Sequence, residues 1–150
     1  MTGPVLVTGA NGFVGRAVVA RLAADGVAVR AAVRCPGAPF PPDVSIVAGT
    51  DLDRLAEWRG ALQGVSAVVH CAARVHRLAD DDADPLAAFR RANRDATAAL
   101  AEAAAAAGVA RFVFLSSIGV HGAETFGRPF AAADAPCAVA NRWSTGLRRR

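Results

Sequence analysis

The sequence predicts an α/β protein built on a doubly wound parallel sheet, and three observations carry that expectation. Five short apolar, β-branched runs recur, at 5–7, 27–33, 44–48, 67–70 and 111–115. Helical patterns or turns separate them, and such alternation of strands with helices is the pattern of a parallel sheet. Glycines 9, 12 and 15 stand at the junction between the first apolar run and the first helical pattern.

Taken in order, residues 4–7 make a buried strand, and residues 16–24 carry Ala17, Val18, Leu22 and Ala23 near helical spacing. The glycines therefore sit in a strand-to-helix turn. There a first glycine permits a tight turn, a later one lets the helix pack close to the strand, and the helix N-terminus offers free N–H groups to a pyrophosphate. The alternative is a glycine turn of structural use only. The connection after the second strand, Cys35-Pro-Gly-Ala-Pro-Phe-Pro-Pro, is too proline-rich for a helix and reads as a loop over a sheet edge. After the third strand, Asp51 or Asp53 caps a short helix that runs through Leu62 and ends at Gly64. The clearest helix spans 85–107: Asp84 is a good N-cap, Pro85 fits the first helical position, and Gly108 suits the position just past the end. Its alanine-rich half, 98–107, combines high helix propensity with small bulk, as close packing on a sheet requires. The run Asp80-Asp81-Asp82 before it reads as a solvated loop, since no further ligands are spaced to complete a cation site. Right-handed crossovers put the early helices on one face and the 85–107 helix on the other, leaving one face thinly covered. The fifth strand is then an unprotected edge, a template for association that permits an oligomer.

Composition narrows the function. A chain of 150 residues, 53% hydrophobic, is one domain's worth with a real core. Its apolar stretches are interrupted by Arg16, Arg21, Asp25 and Glu102, so no membrane span is expected. The N-terminus lacks a basic leader and runs straight into the strand, which predicts a cytoplasmic protein. Cys35, Cys71 and Cys137 are odd in number and far apart, with no His cluster at ligand spacing, so neither disulfides nor a metal site are expected. The net charge of +4 leans on Arg142, Arg148, Arg149 and Arg150, so a solvated basic tail is preferred to nucleic-acid binding. All 17 basic residues other than histidine are arginine; lysine and tyrosine are absent.

Thr8-Gly-Ala-Asn-Gly-Phe-Val-Gly15 resembles the TGxxGxxG fingerprint of the extended short-chain dehydrogenase/reductase family, the sugar-nucleotide epimerases and dehydratases and their reductase relatives. Four further segments match in order: Gly49-Thr-Asp-Leu52, His70-Cys-Ala-Ala73, Asn93-Arg-Asp-Ala-Thr97, with Ala96 in place of the usual glycine, and Arg111-Phe-Val-Phe-Leu-Ser-Ser-Ile-Gly-Val-His-Gly122. The resemblance covers about residues 4–136 and implies a Rossmann-type sheet holding NAD(P). It places Gly9, Asn11, Gly12, Phe13, Val14 and Gly15 at the cofactor. It also gives Asp51 a hydrogen bond to the adenine amino group and packs Leu52 on the ring, although Asp51 serves equally as a helix cap. Ala72 and Ala73 are small where the cofactor passes the strand ends. Asn93, a poor helix former at mid-helix, is expected to use its side chain to organise those ends. The second strand closes on Ala31-Ala-Val-Arg34 with no acid nearby, which favours NADP over NAD if Arg34 receives the 2′-phosphate; a solvent-facing Arg34 is the alternative.

Family chemistry moves a hydride between nicotinamide and a carbinol carbon, with a Tyr acid/base, a Lys four residues on and a Ser that holds the substrate oxygen. Ser117 aligns with that Ser; its other use is to satisfy nearby backbone. Where Tyr and Lys are expected stand Arg142 and Gly146, and arginine stays protonated at any working pH. His121 stands in place of the tyrosine in the last of the matching segments and is expected to cap a turn or line a pocket. The expectation is thus an incomplete NAD(P)-binding domain over 1–139, its sheet truncated after about the fifth strand, and a divergent basic tail over 140–150, the pattern of a fragment or shifted reading frame. Two functions stay in view: an epimerase/dehydratase-type oxidoreductase for a nucleotide sugar or related carbonyl or alcohol, inactive as written, and a non-catalytic dinucleotide-binding module.

Overall fold

The computed structural model describes residues 3–35, 37, 39–50, 55–74, 84–122, 124–125 and 127–136. The chain divides into two units, 1–115 and 116–150. The first holds five strands, β1 (Val5–Thr8), β2 (Val29–Val33), β3 (Ser45–Ala48), β4 (Ala67–His70) and β5 (Arg111–Phe114), all parallel in the order β3-β2-β1-β4-β5. That is the Rossmann-type order through its fifth strand. β1 lies at the centre, and Leu6, Val7 and Thr8 on it are wholly buried. A central parallel strand is covered on both faces, which is why its sequence is a continuous apolar run.

The helices are α1 (Phe13–Ala24), α2 (Leu55–Leu62), α3 (Pro85–Arg90) and α4 (Ala96–Ala106). On one sheet face α1 packs Val19 with Val7, Ala31 and Val33. On the other, Trp58, Ala61 and Leu62 of α2 and Leu100 and Ala104 of α4 meet Leu6, Ala32 and Val68. Each large apolar side chain in these layers contributes about 1.5–3 kcal/mol by leaving water. This corrects the expectation that the early helices share a face. β3 is at the sheet edge, so the chain reverses its direction of travel between β3 and β4, and a right-handed crossover then puts α2 on the side of α4.

Local signals account for most boundaries. Asp84 caps α3 by accepting the Ala87 N–H at 3.0 Å, with Pro85 in the first turn. Gly64 and Gly108 follow α2 and α4 with φ of +69° and +78°, left-handed conformations that favour glycine. The expected single helix over 85–107 is broken by a π-helical turn, Arg91–Asp95. The side-chain pattern Arg-Ala-Asn-Arg-Asp has one apolar residue and gives periodicity nothing to reveal it by. β2 starts at Val29 rather than 27, because Val27 closes the end of α1 through its N–H to the Leu22 carbonyl, 3.0 Å. β5 pairs with β4 alone among the described residues, and Val113 and Phe114 are half exposed. No helix of the described residues is long and apolar enough to cross a membrane.

The second unit, as far as it is described, is a 3-10 helix (Ile118–His121) followed by turns. Arg128 grips Asp134 with two bonds of 2.9 and 2.6 Å, and the Ala131 N–H reaches the same carboxylate at 2.8 Å. The Arg128 guanidinium, helped by that N–H, holds the Asp134 carboxyl below the usual carboxylate range.

Candidate functional site

The glycine turn is built by backbone packed on backbone. Gly9 has φ +60°, and a Cβ there would lie 2.7 Å from the Ala72 Cα. A Cβ on Gly15 would lie 2.1 Å from the Gly9 oxygen, so only glycine lets α1 start against the turn. Gly12 is different. It is the N-cap of α1 with ordinary φ of −76°, and an added Cβ would meet only the Gly9 oxygen, at 3.1 Å. An added Cβ would press on that oxygen without a left-handed φ to forbid it, and having none keeps the helix N-terminus bare. No side chain caps α1 and no acid sits in its first turn. The first N–H groups of a helix lack intrahelical partners and carry the positive end of its dipole, so this end suits a phosphate. Phe13 and Val14 flank it, 97% and 45% exposed, apolar surface free for a ligand to cover.

Asn11 ties the turn to the end of β2 by donating from Nδ2 to the Cys35 carbonyl, 3.3 Å. Arg34 is exposed directly after β2, and its carbonyl accepts the Gly49 N–H at 3.3 Å. Its guanidinium has no hydrogen-bond or ion-pair partner among the described residues. Thr50, buried, donates to the Val33 carbonyl at 3.2 Å and holds the third strand's exit beside it. Asp51 and Leu52 lie outside the described residues.

At the end of β4, Ala72 is half-buried and Ala73 exposed. Asn93 spends its whole amide on the backbone of Arg74: Oδ1 accepts the N–H at 2.7 Å and Nδ2 donates to the carbonyl at 2.8 Å. It clamps the segment that leaves β4, so its polar atoms face protein. Three residues that sequence reasoning did not select lie alongside. His70, 1% exposed, has Nδ1 2.6 Å from Thr8 Oγ1 and Nε2 2.9 Å from Thr97 Oγ1. Thr8 Oγ1 accepts the Ala72 N–H at 3.2 Å, and Thr97 donates to the Asn93 carbonyl at 2.8 Å. Phe112 and Phe114 pack on the His70 ring with centroids 5.9 and 5.8 Å away. Burial pushes the His70 imidazole down from 6.5 to about 4, so it is neutral at ordinary pH. A sequence signal for these residues did exist: Thr8 and His70 each end an apolar run, and they are register partners on adjacent strands.

Within the second unit, Ser117 caps the 3-10 helix by accepting the Gly119 N–H on Oγ at 3.1 Å, and it is exposed. His121 packs on Phe130, centroids 5.5 Å apart, with Nδ1 3.4 Å from the Ala135 carbonyl. A cavity of about 410 Å³ in this unit is lined by His121, Glu124, Thr125, Arg128, Pro129, Phe130, Asp134 and Ala135. Arg142 and Gly146 lie outside the described residues.

Comparison with known proteins places this geometry. Residues 5–143 match the model of the NAD dependent epimerase/dehydratase family. The chain is 38% identical over 132 residues to a UDP-glucose 4-epimerase of Vibrio cholerae, covering 87% of this chain and 40% of that protein. It is 40% identical over 124 residues to a ceramide reductase of Caulobacter vibrioides, covering 77% and 35%. Among solved structures, a short-chain dehydrogenase/reductase superfamily protein of Agrobacterium tumefaciens with bound NAD superposes with a TM-score of 0.72 at 33% identity, covering 94% of this chain and 41% of that one. The chain thus spans well under half the length of these relatives. On the extent of that match and the identity to its relatives, the chain belongs to the NAD dependent epimerase/dehydratase family.

Proposed function

We propose that these 150 residues are the cofactor-binding portion of an NAD(P)-dependent oxidoreductase of epimerase/dehydratase type, acting on a nucleotide sugar or a related carbonyl or alcohol substrate. The observation that carries this reading is the bare, uncapped N-terminus of α1, held against the β4 exit by Gly9 and Gly15. A dinucleotide pyrophosphate fits that end, with Gly9, Asn11, Gly12 and Gly15 forming its backbone cradle and Phe13 and Val14 covering it. Ala72 and Ala73 leave room for its passage across the strand ends, and Asn93 holds them in place. Asp51 and Leu52 take the adenine. Arg34, exposed after β2 and with no pairing partner among the described residues, takes a 2′-phosphate, which makes NADP(H) the preferred form. When bound, the nicotinamide supplies hydride acceptance and return at a carbinol carbon.

The chain as it stands binds cofactor without turning substrate over. Ser117 supplies a hydroxyl for a substrate oxygen, but the sequence holds no tyrosine and no lysine to exchange the proton as the family's pair does. General acid–base help is worth roughly 10²–10⁴ in rate. The same absence favours a second reading, a dinucleotide-binding module without catalysis. The nucleotide-sugar assignment draws on the epimerase relative, and the ceramide reductase, similar to the same degree, marks how far substrates diverge on a shared cofactor domain. Among the described residues β5 pairs with β4 alone, and its other edge, with Val113 and Phe114 half exposed, is where copies would associate.

Calorimetric titration tests the reading. NADPH is expected to bind more tightly than NADH, and Arg34→Ala is expected to erase the difference; equal binding of both by the unaltered chain removes Arg34 from the site. Nicotinamide oxidation or reduction over a panel of nucleotide sugars and small carbonyls is expected to stay at background. Turnover that survives stringent purification and vanishes in His121→Ala would overturn the inactivity and give His121 the acid/base role.

A further inference from the structure

The buried cluster at the end of β4 contains a hydrogen-bond chain whose direction is fixed by counting protons. Thr97 has one hydroxyl hydrogen, and it goes to the Asn93 carbonyl. Its oxygen must then accept from His70 Nε2, so Nε2 carries the ring proton and Nδ1 is bare. Thr8 therefore donates to Nδ1 and keeps a lone pair for the Ala72 N–H. Every proton in the chain has an acceptor. In the opposite tautomer Thr8 would accept from both Nδ1 and Ala72, its own hydrogen would be stranded in a wholly buried position, and the oxygens of Thr97 and Asn93 would face each other at 2.8 Å with no proton between. Burial makes such a stranded donor costly.

We infer that His70, held as the Nε2–H tautomer between Thr8 and Thr97, is a positioning residue that fixes the Ala72 backbone against Gly9, and so sets the rim of the phosphate cradle. The chain runs from the Ala72 N–H through Thr8, His70 and Thr97 to the Asn93 carbonyl, and Asn93 in turn clamps Arg74. Ala72 is thereby held from both sides at the place where a Gly9 Cβ would collide with it. The π turn Arg91–Asp95 contains Asn93, the residue whose carbonyl ends the chain, which accords with the use of such turns at functional sites. The positioning role rests on the cofactor reading above; the tautomer does not.

The experiment has two arms. Nitrogen NMR of the chain with isotope-labelled histidine, His70 assigned by the signal lost in His70→Gln, is expected to show Nε2 protonated and Nδ1 bare at neutral pH. A protonated Nδ1, or averaging between tautomers, overturns the directed chain. In the second arm, Thr8→Val is expected to speed exchange of the Ala72 amide by about tenfold while the amides of Leu6 and Val68 stay protected, and to weaken NADPH by a similar factor; Thr8→Ser restores both. Should Thr8→Val fail to fold, Thr97→Val, which removes the Nε2 acceptor, is expected to let the His70 tautomers average and to weaken Ala72 protection and NADPH affinity alike. Unchanged Ala72 exchange, or unchanged NADPH affinity, overturns the positioning role. Failure of the unaltered chain to bind NADPH sinks the cofactor reading and with it the positioning role, while the tautomer result stands by itself.

Discussion

The glycine turn with the β4 exit, and the segment from Ser117 to Asp134, are two differently made regions of one chain. In the first, backbone rests on backbone and the buried hydroxyls, imidazole and amide all find partners: Gly15 on Gly9, Gly9 on Ala72, Thr8 on His70, Asn93 on Arg74. In the second, the polar groups that chemistry would use are exposed or occupied locally. Ser117 caps a short turn, His121 leans on Phe130, and Arg128 is spent on Asp134. The difference teaches that a tightly determined turn within the first unit can fix geometry through backbone alone, whereas the described side chains of the second region that chemistry would use are exposed or spent on their own neighbours.

The comparison breaks most sharply at Gly15. Gly15→Val is expected to unfold the first unit, because a Cβ 2.1 Å from the Gly9 oxygen cannot be relieved by moving a flexible side chain; a loss of about 4 kcal/mol or more is expected from denaturant melts. A melt within error of the unaltered chain would mean that the turn is loose.

Acid comes next. His70 titrates near 6.5 when unfolded and at about 4 when folded, so between those values the unfolded chain binds more protons. Stability is therefore whole above pH 6.5, falls as pH drops, and levels off below about 4, a loss of about 3 kcal/mol from this residue. Melts across that window in the unaltered chain and in His70→Gln measure it; identical slopes would put the acid sensitivity elsewhere. Asn93→Ala, which strands the N–H and carbonyl of Arg74, is expected to cost about 2 kcal/mol. The smallest effect belongs to the second region: Ser117→Ala is expected to cost about 0.5 kcal/mol, the loss of an exposed cap, and to leave NADPH affinity unchanged.

The sequence made the same distinction only in part. The glycine spacing marked the turn because a left-handed φ and close backbone approach admit almost no other residue. Asp84-Pro85 and Gly108 marked helix ends by equally local chemistry. The Thr8-His70-Thr97 chain was hidden because its members come from two strands and a helix: the polar ends of two apolar runs, Thr8 and His70, meet only through the strand pairing, and Thr97 has no mark of its own within its helix. The face taken by α2 depended on where the chain reverses direction, a property of strand order that no local pattern carries. The π turn left no trace in periodicity. Missing side chains were the most legible feature of all, since the absence of tyrosine and lysine is read directly from composition.

The central claim, that the bare α1 N-terminus is a dinucleotide-phosphate site working without catalysis, is tested most directly by titrating NADPH into the unaltered chain and into Gly12→Val. Gly12 has ordinary backbone angles and its missing Cβ would press on the Gly9 oxygen alone, at 3.1 Å, so valine there fills the cradle at an overpacking cost to the fold of about 1–3 kcal/mol, less than at Gly15. The account predicts saturable binding to the unaltered chain and none to Gly12→Val, with both chains melting cooperatively. Equal binding by the two folded chains, or no binding by the unaltered one, would contradict it.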